Sequence, residues 1–359
     1  MSAIDVPFDQ YQRYRVTADL AGAAGLKKIL DVGGHHSDFW GRPQRPIADF
    51  VPQAFSVTLD VGPNPLRGYV RGRGDALPFR AGSFDLVCSV DVLEHVPPSA
   101  RTQLADELQR VSSRAIILAA PFRQPLLERA ETFVSDFIQR TCGYTQGQLR
   151  EHRDLGWPDL MSTWADLTRN GWHARVFPYG NLWRWVMMMI DKHAVSALAG
   201  SRGLQSRLDR HYNETWFPHD RALPAYRYFI VTSRAADDPI LRTAEERFTA
   251  VQDPREVLPA NAGEADADAD ADAEADRMFE LLAIHAENQT LQAQLEPERR
   301  DTHVAELEAL KAELYKNLDA MYRENTRLVN MLHDIERSVP HRALAALRRW
   351  LPGMSRSGR

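Results

Sequence analysis

The stretch from Gly74 to Pro98 constrains this chain more than any other. Gly74-Asp75-Ala76-Leu77-Pro78-Phe79 reads as a loop carrying an acid, and Phe84-Asp85-Leu86-Val87-Cys88-Ser89-Val90 as a buried strand. Asp91, Glu94 and His95 follow at the strand's end, before Pro97 and Pro98 break the chain. In an open α/β sheet, ligands bind just beyond the carboxyl ends of the strands. The segment therefore predicts a strand with a cofactor site at its exit.

The rest of the N-terminal two thirds supplies the sheet. Apolar runs bounded by turn residues alternate with longer periodic segments, which predicts βαβ units and a mainly parallel sheet. Strands are expected at 28–32, 56–59, 68–70, 84–90, 114–119, 174–177 and 226–232. A helix is expected over Arg13–Ala24, closed by Gly25 as its C′ residue. A second should be capped by Ser99, with Leu104, Leu108 and Val111 on one face. A helix-rich insertion spans about 125–170, and Trp183, Trp185 and Met187–Met189 mark a further helix, read first as core and otherwise as an acceptor-site lid or subunit contact. Hydrophobic content of 44% and charged content of 26% suit a globular protein. A net charge of −5 argues against a nucleic-acid binder. Cys88 and Cys142, the only cysteines, suggest neither a disulfide framework nor structural zinc. No signal peptide or spanning segment is expected, which points to the cytoplasm.

Two further motifs bear on chemistry. Ile29-Leu30-Asp31-Val32-Gly33-Gly34 is a strand running into an acid and paired glycines, where backbone amides can face a polar group. The same pattern serves many simple tight turns. Asp60, at the end of the second strand, can accept hydrogen bonds from both hydroxyls of a ribose, or merely cap the turn before Pro63. The adjacent His35 and His36 diverge and are not expected to hold a metal.

Taken in order, Leu30-Asp31-Val32-Gly33, Leu59-Asp60, Gly74–Phe79, Ser83–Val87 and Leu93–Pro97 closely resemble the class I S-adenosylmethionine (SAM)-dependent methyltransferases. The nearest branch contains the ubiquinone and menaquinone methyltransferases. The resemblance covers about residues 15–125 strongly and continues weakly to about 234. It implies an α/β, Rossmann-like, seven-stranded and mostly parallel sheet that binds SAM. It further implies that Asp31, Gly33 and Gly34 lie at the methionine part, Asp60 at the ribose, and Asp75 with Ala76 at the adenine. Val90 and Asp91 would lie beside the sulfonium. The family's glycine-rich turn reads D-x-G-x-G-x-G, whereas this chain has His35 and Ser37 at its second and third glycine positions. An alcohol acceptor would gain from a general base of near-neutral pKa, for which His95, His152 and Asp91 are the candidates. The alternative is that His95 only orders its loop and His152 lies on the surface.

The C-terminal third differs in composition. Residues 1–235 are read as the methyltransferase domain and 236–276 as an acidic linker ending in alternating Ala and Asp. Residues 277–338 are read as a coiled coil. Val304, Lys311, Leu318, Asn325 and Leu332 fall in one seam position, and Leu307, Leu314, Met321, Leu328 and Ile335 in the other. The expected partner is a second copy, in a homodimer. Residues 339–359 form a basic amphipathic tail suited to an anionic membrane surface or to protein docking. The sequence around 334–349 is similar to tails of bacterial surface-polysaccharide glycosyltransferases and methyltransferases. That suggests a sugar hydroxyl on a lipid-linked glycan as acceptor, with peripheral contact at the inner membrane or with glycan-assembly proteins. The alternatives are a small-molecule acceptor such as a quinone or secondary metabolite, and a non-catalytic scaffold.

Overall fold

The computed structural model describes residues 3–37, 42–197, 202–258 and 265–294. Helix α1 (Phe8–Ala23) leads into β1 (Lys28–Val32), and α2 (Pro46–Phe50) into β2 (Phe55–Asp60), β3 (Tyr69–Arg71) and β4 (Phe84–Val90). Then come α3 (Pro98–Val111), β5 (Ser112–Ala120), α4 (Pro125–Cys142), α5 (Gly147–Leu155) and α6 (Leu160–Thr168). The order continues with β6 (His173–Asn181), α7 (Leu182–Ala197), α8 (Arg202–His211), β7 (Ala225–Ser233), α9 (Pro239–Phe248) and α10 (Ala265–Gln294). A two-residue ladder, His36–Ser37 against Pro43–Gln44, is left unnumbered.

The sheet has seven strands in the order β3-β2-β1-β4-β5-β7-β6. The first five pair parallel, and β7 inserts antiparallel between β5 and β6. This is a doubly wound, mostly parallel α/β sheet of the Rossmann-like kind. Its strand order reverses between β1 and β4, which makes their carboxyl ends the switch point.

Period-two alternation assigns the two faces. Leu30, Val32, Ile116, Leu118, Tyr228 and Ile230 face one core together with Leu104 and Leu108 of α3 and Leu160 and Leu167 of α6. On the opposite face Phe229 stacks on Phe177 at 5.1 Å, and Phe177 on Phe248 of α9 at 4.8 Å. All seven expected strands are present: β1 and β4 have the expected ends, β3 is shifted by one residue, and the other four are longer, β6 by four residues at its C-terminal end. Central strands are covered on both sides, so nearly every residue is apolar and the runs stand out in the sequence. Helix α1 starts five residues before its expected start, and Gly25 follows it with φ +65°. The Ser99 cap is not formed: α3 begins at Pro98, which has no N–H to satisfy, with Pro97 as its cap residue.

The expected end of the domain at residue 235 is corrected. Asp238 receives Arg114 in a two-pronged pair at 2.8 and 3.0 Å and caps α9 by accepting from the Ile240 amide. Ile240, Leu241, Ala244 and Phe248 are buried on the sheet, and Val251 pairs with Val176 beyond β6. The stretch 236–276 is thus not a linker throughout. Composition misled because the polar residues 235–238 form the turn that feeds a docked helix.

Nor does the alternating Ala/Asp run interrupt helix formation, since alanine is the strongest helix former. It belongs to α10, whose Ala275, Met278, Phe279, Leu282 and Ala286 form a buried stripe at helical spacing. Phe279 meets Phe133 and Trp183, and the Arg129 guanidinium lies 4.2 Å above its ring. Residues 277–294, expected to open a coiled coil, instead pack on α4 and α7. The heptads from Val304 to Ile335 and the basic tail lie outside the described residues. Among the described residues, no helix is long and apolar enough to cross a membrane.

If α9 is integral to the fold, Phe248→Ala should cost about 3–5 kcal/mol, as for other buried phenylalanines. Urea denaturation monitored by tryptophan fluorescence measures this; a residue in a linker would give no change.

Candidate active site

The site is built from the loops at the carboxyl ends of β1, β2 and β4. At β1, Asp31 is fully buried and its Oδ2 accepts the Tyr14 hydroxyl at 3.1 Å. The Cys88 thiol lies 3.6 Å from its Oδ1. Burial, only partly offset by the Tyr14 and Cys88 hydrogen bonds, raises its pKa to about 7. The carboxyl lies beneath Gly34: a Cβ there would fall 1.8 Å from Asp31 Oδ2. Gly33 has φ +80° and approaches Val92 too closely for any side chain. Asp31 therefore shapes the glycine turn from below rather than lining an open face.

After Gly34 the chain turns aside into the small ladder. The His35 amide donates to Asp60 Oδ2 at 3.1 Å, and the His35 ring meets Asn64 Nδ2 at 2.9 Å. The imidazole is thus held against the loop after β2. Asp60 Oδ1 accepts the Val61 amide at 2.6 Å, so this carboxylate both organises its own loop and stands at the end of β2. Asp75 is held by Arg73, whose hydrogen bond lowers its pKa, and the Ala76 amide closes a turn on the Arg73 carbonyl. Val90 is buried at the end of β4.

Asp91 adopts φ +54°, an uncommon conformation for a residue with a side chain. Its Oδ2 receives Arg13 from α1 at 3.0 Å and Arg227 from β7 at 2.9 Å. Arg227 is almost wholly buried and also donates to Gln12 Oε1 at 2.6 Å. So engaged, Asp91 is an electrostatic anchor and a poor candidate for a free base.

The two candidate histidines are brought together. Their Nε2 atoms lie 3.4 Å apart. His95 Nδ1 is 2.8 Å from Glu151 Oε2, and His152 Nδ1 is 2.9 Å from Glu131 Oε2. His152 is 3% exposed, so the surface reading of it is corrected: α5 folds it onto Glu131 of α4. Glu131 also accepts Trp157 Nε1 at 3.2 Å and the Tyr226 hydroxyl at 3.0 Å. Burial opposes a charged His152, but Glu131's hydrogen bond and charge outweigh it and raise its pKa. Burial and the neighbouring His152 lower that of His95. Glu94, buried beside them, has its pKa raised by burial and by the charge of Asp91.

Trp183, Trp185, Met187 and Met188 are core residues of α7, which bears out their first reading. Trp185 stacks on Tyr226 at 4.1 Å and so braces the Glu131 network.

Sequence reasoning missed Arg13, Arg227 and Glu131, and gave Glu94 no role of its own. A lone arginine within the apolar run Ala225–Thr232 was the available signal for Arg227. Whether these loops suit SAM, a polar zwitterion with a cationic sulfur, is answered by their orphaned polar atoms. Asp91 Oδ1, Glu94 Oε2, Arg13 Nε and His36 Nε2 are buried without a hydrogen-bond partner among the described residues. Acceptors and donors waiting near the switch point fit such a molecule.

Residues 48–117 match the family described as a methyltransferase domain. An uncharacterized methyltransferase of Mycobacterium sp. (strain JLS) is 36% identical over 105 residues, 27% of this chain. The chain spans 41% of the length of that curated relative. Among solved structures, magnesium protoporphyrin IX methyltransferase from Synechocystis, with bound S-adenosylhomocysteine, is 11% identical, with a TM-score of 0.36. That match covers 63% of this chain and 84% of the other. A SAM-dependent methyltransferase from Archaeoglobus fulgidus is also 11% identical, over 58% of this chain and 86% of its own, with a TM-score of 0.34. The match to a methyltransferase domain thus spans residues 48–117, from α2 into β5.

The raised pKa of Asp31 gives a pH prediction. Its folded value, about 7, lies above the ordinary 3.8. The protonated acid is therefore the form favoured by folding, and that stability is present below about pH 4 and lost as pH rises through 7. Asp31→Asn should melt higher than the parent at about pH 8.5, by on the order of 2–4 kcal/mol, and match it near pH 4. Thermal melts at the two pH values check this.

Proposed function

We propose that the protein is a SAM-dependent methyltransferase acting on a hydroxyl oxygen. The observation that carries this reading is the convergence of Gly33–Gly34, Asp60 and Val90–Asp91 at the carboxyl ends of three neighbouring parallel strands. Bound SAM supplies a methyl group already activated by its sulfonium. What remains for the chain is mainly to align the acceptor and exclude water. In this reading Gly33 and Gly34 let the backbone approach the methionine part, Asp60 holds the ribose, and Asp75 with Ala76 flanks the adenine. Asp91, fixed by Arg13 and Arg227, sets the position of the following turn. His95, held through Nδ1 by Glu151, meets His152 through Nε2, and the pair stands beyond the end of β4.

The oxygen acceptor is favoured by the buried histidine and carboxylate groups beside Asp91, since an alcohol needs help in losing its proton and a better nucleophile does not. For its identity we propose a sugar of a bacterial surface glycan, supported only by the similarity of the C-terminal tail. Calorimetry should show SAM binding that weakens at least about tenfold in Asp60→Ala, the loss of a charge-assisted hydrogen bond. Radiolabelled SAM should then label lipid-linked saccharide. Label in an organic-soluble product without saccharide would instead identify a small-molecule acceptor, and absence of SAM binding would identify a scaffold.

We also propose that heptads 304–335 make the protein a homodimer. Sedimentation should give a dimer for the full chain and a monomer for residues 1–294; a monomeric full chain would refute it.

A further inference from the structure

The facing histidines need a reason. If each Nδ1–H donates to its carboxylate and both rings are neutral, both Nε2 atoms present lone pairs to one another at 3.4 Å, so that a proton or a cation must stand between them. Glu94 adds a buried carboxylate whose Oε2 has no hydrogen-bond partner among the described residues. One ligand atom from each of Glu94, His95 and His152 falls within a set spanning at most 4.8 Å. No other group of three such residues is gathered this closely among the described residues.

We propose that Glu94, His95 and His152 bind one divalent first-row transition-metal cation. Two imidazole nitrogens on a tetrahedral ion, each at about 2.0–2.1 Å, lie about 3.3 Å apart, close to the separation found here. Metal-bound histidines characteristically donate their other N–H to a carboxylate, which fixes tautomer and ring orientation. Here both do so, to Glu131 and Glu151. Glu131 is itself held by Trp157 and Tyr226, so the support behind His152 is rigid. Two nitrogens and one oxygen select zinc, iron, cobalt or manganese over magnesium and calcium, which favour all-oxygen sites.

Three protein ligands leave coordination positions open, as in catalytic rather than structural sites. On the methyltransferase reading, those positions take oxygen atoms of the acceptor, favouring one with neighbouring hydroxyl or carbonyl groups able to chelate. A metal-bound hydroxyl loses its proton more readily and becomes a better nucleophile. The sequence reading assigned no metal ligands, because Glu94 and His95 lie 57–58 positions before His152 (152 − 95, 152 − 94) and only the fold joins them.

The test uses the untagged full chain and cobalt(II) as a spectroscopic probe. Visible absorption should appear and saturate at one cobalt per chain, and zinc should displace it. His95→Ala and Glu94→Gln should each abolish the absorption. Glu131→Gln should weaken binding about 10–100-fold, as supporting carboxylates do elsewhere. Circular dichroism and SAM calorimetry on each variant report whether it remains folded; His95, at the edge of the cluster, is the variant least disposed to disturb the core. The proposal is overturned if the parent chain gives no absorption, or if it persists in both His95→Ala and His152→Ala. It is equally overturned if nitrogen NMR finds a proton shared between the two Nε2 atoms while cobalt stays unbound. Because cobalt and SAM are titrated separately, loss of one does not imply loss of the other.

Discussion

Much of the molecule hangs on the carboxylate of Asp91. It sits at the exit of β4, its amide bonded to the Ala119 carbonyl of β5, and receives Arg13 from the N-terminal helix and Arg227 from β7. Three elements widely separated in sequence are thus joined at one charge. The left-handed backbone at Asp91 costs on the order of 1–3 kcal/mol in isolation and persists only where surroundings enforce it. The buried Arg227 and the partly buried Arg13 do so. Arg227 could not remain buried without the acid, since an unpaired internal charge is far more costly than the strain. The bend that follows delivers Glu94 and His95 inward instead of continuing along the strand.

The insertion between β5 and β6 completes that arrangement. Helix α4 brings Glu131 and α5 brings His152, which meet over the residues that follow β4. Tyr226 and Arg227, adjacent in β7, serve the two halves: the tyrosine hydroxyl binds Glu131 and the guanidinium binds Asp91. The antiparallel β7 therefore acts as a shared wall, and Trp185 stacked on Tyr226 limits its movement. Acid–base groups in such a buried, cross-braced setting have shifted proton affinities, as the raised pKa of His152 and lowered pKa of His95 illustrate.

The strands were legible because central parallel strands must be apolar throughout, and their ends carried the acids that named the cofactor. Asp31, Asp60 and Asp91, read in that order along the chain, stand at or just beyond the carboxyl ends of β1, β2 and β4. What could not be read were contacts closed by the fold. Arg13 and Asp91, Arg227 and Gln12, or His152 and Glu131 are joined only once helices pack, and no local pattern records them. Composition also failed at α9 and α10. A polar turn and an acidic run resemble a linker, while the anchoring residues, Leu241, Phe248, Phe279 and Leu282, are too few to dominate a window average.

The altered glycine turn shows how geometry can overrule a motif. A glycine is indispensable where φ is positive or where a Cβ would collide. Both conditions hold at Gly33, and the second holds at Gly34, directly above Asp31. The first does not apply to the third residue of the turn: His35 has no positive φ, and its contribution to Asp60 is made by its backbone amide. That amide is the same for histidine as for glycine. The added imidazole is turned onto Asn64 and lies 6.0 Å from the Tyr69 ring, away from Asp31. The substitution thus changes what borders the second strand's loop while leaving the backbone that faces the switch point intact. The glycines that this fold requires are the two that remain.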